Sequence, residues 1–157
     1  MNKRTLIKSG TVKENRKARF EYSMEDTIEA GVALTGAEVK SLRFGMANIS
    51  DGFVQHKKGN LILSNVVIMK LPTANAAVYY DERRYRQLLL HRAQIKRLVG
   101  KLKEKGATIV PLKMYFNSRG KLKVLLGIGH GKQVRDKRQT IKQREWDREK
   151  ARVLKKK

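Results

Sequence analysis

Three histidines, one pair of nearby carboxylates and one glycine-rich run are the first places to look for chemistry in this chain. His56, His91 and His130 fall in separate segments. None is spaced with a carboxylate as in the helical HExxH zinc pattern. Asp26 and Glu29 could imitate a metal pair, but two carboxylates along one strand more simply make a polar face. Gly127-Ile128-Gly129-His130-Gly131 follows a strand pattern and leads into a polar tail rather than a helix N-terminus, so it reads as a hinge, not a phosphate cradle. There is no GxSxG, no P-loop and no dinucleotide fingerprint. The chain has no cysteine for a disulfide or thiolate zinc site. A protein that is not an enzyme, with no metal and no cofactor, is expected.

The charge balance points elsewhere. Lys and Arg number 37 against 14 Asp and Glu, a net charge of +23 in 157 residues. Solubility needs only roughly 2–8 charges. The surplus calls for a polyanion, with nucleic acid favoured over an anionic membrane. No apolar run approaches the roughly 18 residues of a spanning helix, and the first residues lack the apolar core of a secretory signal. A cytoplasmic monomer that does not engage membranes is expected. Candidate RNA contacts are Asn15, Lys17, Arg19, Lys40 and Arg43 around one block, and Arg83, Arg84 and Arg86 beside the stacking rings of Tyr79, Tyr80 and Tyr85. Glu29 is the exception in sign: its carboxylate can accept hydrogen bonds from base amino groups or hold an arginine.

The elements that must position these residues follow from periodicity. Residues 1–14 are basic, short of large apolar groups, and read as a flexible terminus. Phe20, Tyr22 and Met24 alternate like a strand, and Gly31 reads as a bulge or tight bend. Thr35-Gly36-Ala37-Glu38 fits a capping box, with a helix from Ala37 to about Phe44. Residues 49–56 and 61–69 read as a hairpin around Lys57-Lys58-Gly59-Asn60. Residues 83–90 read as a basic helix, and 91–105 as a second one carrying Ile95, Leu98, Val99 and Leu102 at i, i+3, i+4, i+7. Residues 108–116 and 121–128 complete the strands, with Pro111 at an edge or bulge. The fold class is mainly β with α insertions: a small antiparallel OB-like barrel with about three helices, which removes exposed edges. An open sheet with helices on one face is the alternative. The core would span 15–131. Residues 132–157 carry 12 basic and 4 acidic groups, with Ile141, Trp146, Val153 and Leu154 as the main large apolar ones. They read as a tail that is disordered when free and helical on RNA.

Several of these segments also carry a family resemblance. Asn15-Arg16-Lys17-Ala18-Arg19, the run from Glu25 to Gly31, and the run from Leu34 to Arg43 resemble the signature of the SmpB, or SsrA-binding protein, family. Arg84-Tyr85-Arg86-Gln87-Leu88-Leu89-Leu90 resembles its R-x-R-K-L-L-L segment, with Gln87 replacing lysine. Val110 to Phe116, Gly131-Lys132, Asp136-Lys137-Arg138 and Ile141-Lys142-Gln143-Arg144-Glu145-Trp146 fit as well. The resemblance implies an OB-like core that binds the tRNA-like domain of transfer-messenger RNA and delivers it to stalled ribosomes for trans-translation, with elongation factor Tu as a further partner. It places Asn15, Glu29, Leu89 and Lys123 at the RNA. Lys17, Arg19, Lys40, Arg43, Arg84, Arg86, Gly131 and Lys132 are expected around them. Arg135 matches a tail position near the decoding centre where several relatives carry a stacking histidine. Asp136, Lys137, Arg138, Ile141, Lys142, Arg144, Trp146, Val153 and Leu154 would line the vacant messenger channel. Composition alone also suits a structural ribosomal protein bound to rRNA, or a nonspecific DNA-compacting protein.

Overall fold

In the computed structural model, residues 6–132 and 134–155 are described. The strands are β1 (Gly10–Glu14), β2 (Tyr22–Val32), β3 (Ala47–Asn48), β4 (Phe53–Lys57), β5 (Asn60–Ser64), β6 (Val67–Ile68), β7 (Arg86–Leu89), β8 (Ala107–Phe116) and β9 (Leu122–Gly131). The helices are α1 (Arg16–Glu21), α2 (Gly36–Arg43), α3 (Arg92–Leu102) and α4 (Val134–Lys155). Seven strands form one sheet in the order β1-β8-β9-β2-β7-β5-β4, all pairs antiparallel, while β3 and β6 pair separately. β4 packs back against β8, and α3 bridges β4, β5 and β8. The sheet therefore curls into a small antiparallel barrel of the OB-like kind, as the strand pattern suggests.

The barrel interior is one apolar cluster that includes Leu42, Leu61, Leu63, Leu88, Leu98, Met114, Val124 and Leu126. Its long staves are β2 and β9, whose register runs from Tyr22↔Gly131 to Gly31↔Lys123. Inward residues alternate with outward ones, as a half-buried strand requires. Leu98 of α3 is fully buried, with Ile95, Val99 and Leu102 packed around it, so the i, i+3, i+4, i+7 reading of that helix holds. The β4–β5 hairpin turns through two residues, Lys58 at φ +48° and Gly59 at φ +79°. Positive φ at both positions suits the strands' right-handed twist. A smaller cluster sits outside the barrel, where Ala18 of α1 meets Val110 and Leu112, flanked by Tyr22, Met24, Phe53 and Leu125.

Several elements differ from the sequence reading. Gly10–Glu14 is a strand paired with β8, not part of a flexible terminus; polar residues serve there because the strand lies at the sheet's edge. Phe20 lies in α1, a short helix that Asn15 caps by accepting from the Ala18 amide at 3.0 Å. Residues 86–89 form a strand where a helix is expected. Arginine, glutamine and leucine are strong helix formers, but Arg86 and Leu88 point inward while Gln87 and Leu89 point outward, and pairing with β2 and β5 decides the outcome. Pro111 agrees with one of its two readings: it marks a register shift inside β8, a bulge and not an edge.

The expected hinge at Gly127–Gly131 is also strand. A side chain at Gly129 would stand 2.2 Å from the Ser23 carbonyl oxygen, and one at Gly127 would stand 2.7 Å from Met24 Sδ and 2.9 Å from Leu112 Cδ1. These glycines allow close approach rather than flexibility. Opposite them, β2 shifts register between Met24 and Asp26.

Candidate nucleic-acid interface

The capping box that begins α2 is complete: the Glu38 amide donates to Thr35 Oγ1 at 3.2 Å, and the Thr35 amide donates to Glu38 Oε1 at 2.9 Å. Glu38 has a second task. Arg84 Nη2 donates to its Oε1 and Arg86 Nε to its Oε2. Glu38 is 2% exposed and Arg86 fully buried. Burial pushes the Glu38 carboxyl up, but bonds from Arg84, the Thr35 amide and Arg86 outweigh it and hold it below the usual carboxylate range. Arg86 also donates to the Val66 carbonyl at 2.8 Å and the Glu82 carbonyl at 3.1 Å. This triad ties α2 to β7, and it removes Arg86 from the expected RNA contacts because no part of it reaches the surface.

Two more expected contacts have structural roles. Asn15 is 1% exposed; its Nδ2 donates to the carbonyls of Ile49 (3.2 Å) and Pro111 (2.8 Å). Arg43 stacks 3.9 Å over the Phe116 ring and donates to the carbonyls of Ile7, Lys8 and Gly120. Short-range signals could not reveal these bonds, which link residues up to 96 apart. Lys17 pairs with Asp51 at 2.8 Å in solvent. The same hydrogen bond raises the Lys17 pKa. Arg19 on α1 and Lys40 on α2 are exposed, and Arg84, on the approach to β7, is half-buried. Tyr80 belongs to a loop, its hydroxyl donating to the Ile68 carbonyl at 2.8 Å. Asp26 bonds Arg97, and among the described residues no cluster suits a metal ion.

The structure brings Glu29, Leu89 and Lys123 together. Gly31 pairs with Leu89 on one side and Lys123 on the other, and Lys123 pairs with Tyr115. The row Leu89, Gly31, Lys123, Tyr115 thus crosses four strands on the outer face of the barrel. Glu29 lies two residues along β2 on the same face, exposed, and accepts from the Tyr115 hydroxyl. It is not a buried carboxylate. Gly31 is no bulge: a side chain there would meet Leu89 Cβ at 3.2 Å. Its absence lets Leu89 lie across the sheet, 54% exposed. Tyr115 is the member that sequence reading missed; its signal was alternation with Met114 and Phe116, both buried. Such a row offers an apolar contact, a cation, a ring and an acceptor within one patch, the mix that recognises folded RNA.

The tail is a single 22-residue helix, α4. It touches the body along its first half, where Arg144 lies 5.4 Å over the Phe20 ring of α1, and just before it Lys132 Nζ reaches the Arg19 carbonyl (3.3 Å) and Thr140 Oγ1 (3.4 Å). Gly131 ends β9 opposite Tyr22. Arg138, Ile141, Lys142, Arg144, Trp146, Val153 and Leu154 are exposed. Trp146, Val153 and Leu154 line one shallow hollow. Arg135, Asp136 and Lys137 lie in the first turns of α4, and their side chains fall outside the described residues. No helix among those described is long and apolar enough to cross a membrane.

Residues 12–156 match the family described as SmpB protein. The chain belongs to the SmpB family. An SsrA-binding protein of Rhodospirillum rubrum is 51% identical over 96% of this chain and 94% of its own length. One from Methylorubrum populi is 50% identical over 91% and 90%. A solved structure described as "tmRNA-SmpB: a journey to the center of the bacterial ribosome" matches with a TM-score of 0.65 and 47% identity, over 78% of this chain and 85% of that one. The SmpB match spans both the barrel and α4, so body and tail belong to one family pattern.

Proposed function

We propose that this chain is a non-enzymatic RNA-binding adaptor that holds the tRNA-like domain of transfer-messenger RNA and carries it to stalled ribosomes for trans-translation. The observation that carries the reading is the row of Leu89, Lys123 and Tyr115 with Glu29 beside it, on a body of high positive charge and in a chain of the SmpB family. Leu89 meets an exposed base or the elbow, Lys123 a phosphate, and Glu29 a base amino group. Arg19, Lys40, Arg84 and Lys132 add phosphate contacts around it, while Asn15, Arg43 and Arg86 act by holding the frame. Chemistry stays with the ribosome; this protein supplies position and charge neutralisation. The body, residues 15–131 together with the strand β1 that pairs with β8, grips the RNA. The tail, residues 132–157, enters the vacant messenger channel, Arg135 to Arg138 lying near the decoding centre and Trp146, Val153 and Leu154 using their apolar faces further along.

Recovery of endogenous RNA from the protein purified out of a bacterial cytosol tests this. One dominant RNA with a tRNA-like end, in amounts well below the ribosome count, is expected. One-to-one co-purification with ribosomal RNA would instead make the chain a structural ribosomal component.

A further inference from the structure

Beside the row just described, the barrel holds a cavity that the reading so far leaves unused. It lies against β4, β5 and the approach to β7 and has a volume of about 520 Å³, within the roughly 300–1,000 Å³ span of small-ligand clefts. Two of its walls are aromatic, Phe53 and Tyr85. Phe53 is supported by the outer cluster of Ala18, Val110 and Leu112. Tyr85 is 58% exposed, with Lys57 Nζ 4.2 Å over its ring, so the ring is oriented by a cation on one face.

The polar part of the lining accepts hydrogen bonds. Ser64 is 1% exposed, and neither its hydroxyl nor the buried Gln55 Oε1 has a protein partner. Buried polar atoms are nearly always bonded, so two unpartnered ones on residues that line the same cavity point to a ligand that brings donors. Asp81 adds a carboxylate that already accepts from the Arg83 amide at 3.0 Å. Arg83 supplies a cation at the mouth, with Nη1 donating to Asn65 Oδ1 at 3.1 Å.

We propose that this cavity holds one unpaired RNA base, with guanine preferred. The inference rests on the RNA-binding reading above and adds a second, base-specific subsite to it. Rings such as Phe53 and Tyr85 stack on any base, and Arg83 and Lys57 attract the flanking phosphates. Selectivity comes from Gln55, Asp81 and Ser64. Guanine presents adjacent N–H donors on its pairing edge, which two acceptors match, whereas adenine offers a donor beside an acceptor and leaves one acceptor unmet. Tyr85, Gln87 and Leu89 all point outward along one strand direction while Arg86 and Leu88 point inward. Four residues at about 3.3 Å each put the cavity roughly 13 Å from Leu89, a reach that one strand of RNA crosses.

The test uses the full chain and a stable abasic pentanucleotide carrying guanine, adenine or no base at its centre, with binding followed by fluorescence anisotropy at raised salt. The guanine probe is expected to bind about tenfold more tightly than the baseless one, with adenine between them. Tyr85→Ala removes an exposed side chain and should erase the guanine advantage while leaving the baseless probe's affinity and the melting temperature unchanged. Gln55→Leu should bring guanine down to adenine while retaining the advantage over the baseless probe. Equal binding of the guanine and baseless probes by the native chain would overturn the pocket, as would a guanine advantage that survives Tyr85→Ala. Folded tRNA-like RNA is measured alongside. If it binds while the three pentanucleotides are indistinguishable, the pocket alone is wrong; if it too fails to bind, the RNA reading itself is wrong.

Discussion

At the scale of single residues, charge type alone misleads about role. Arg84 and Arg86 stand two apart in a basic run, yet Arg86 is the fully buried partner of Glu38 and Arg84 its half-exposed one. Removing one member of a buried pair costs about 3–5 kcal/mol because the other charge is left without compensation. Arg86→Met should therefore lower stability by about that amount in urea titration, while affinity for RNA per folded molecule at low temperature stays near native. The pH dependence has a definite sign. A carboxyl held below its ordinary range stabilises the fold above that range and loses the contribution as pH falls through its folded value. Native stability should decline on acidification below about pH 4, and Glu38→Gln, already weaker at neutral pH, should decline less over the same interval. Surface members of the row should behave oppositely. Leu89→Ala and Glu29→Arg should leave urea midpoints nearly unchanged yet weaken binding of tRNA-like RNA by about tenfold; native-like affinity in both would remove the row from the interface.

Among the elements, what was legible depended on whether the signal was local. The capping box of α2 and the apolar spacing of α3 are written in neighbouring residues, and both helices stand where the sequence puts them. β7 was not legible as a strand, because its residues favour helix and only its partners β2 and β5 pull it straight. The glycines of β9 were misread for a similar reason: their need is set by Ser23, Met24 and Leu112, which reach them from other strands or across a register shift. Gly129→Ala should consequently cost about 3 kcal/mol, the upper part of the overpacking range, since a methyl group would collide with backbone. Calorimetry showing an unchanged melting temperature would mean that β2 and β9 do not approach as described. The candidate site was legible in part. Glu29, Leu89 and Lys123 came from the family resemblance, but their convergence is a matter of register, and Tyr115 enters only through that register.

For the molecule as a whole, the +23 charge is divided between a cationic barrel and a tail with 12 basic and 4 acidic groups, and α4 is attached to the barrel through a small contact around Phe20, Arg19 and Lys132. The wide exposure of Ile141, Trp146, Val153 and Leu154 means the tail gains little from the body and much from a partner with apolar or stacking surfaces. Affinity for RNA should fall with salt by about 0.7–0.9 log units per log unit for each phosphate neutralised; a flat series would contradict a phosphate-led grip. The division between body and tail is the central claim. It is tested most directly by the dissociation constant of tRNA-like RNA for the chain truncated after Lys132, measured beside the full chain at one salt concentration. The truncated body is predicted to unfold cooperatively and to bind within about tenfold of the full chain while losing ribosome rescue. A drop of roughly a hundredfold or more in that affinity would place the grip in the tail instead.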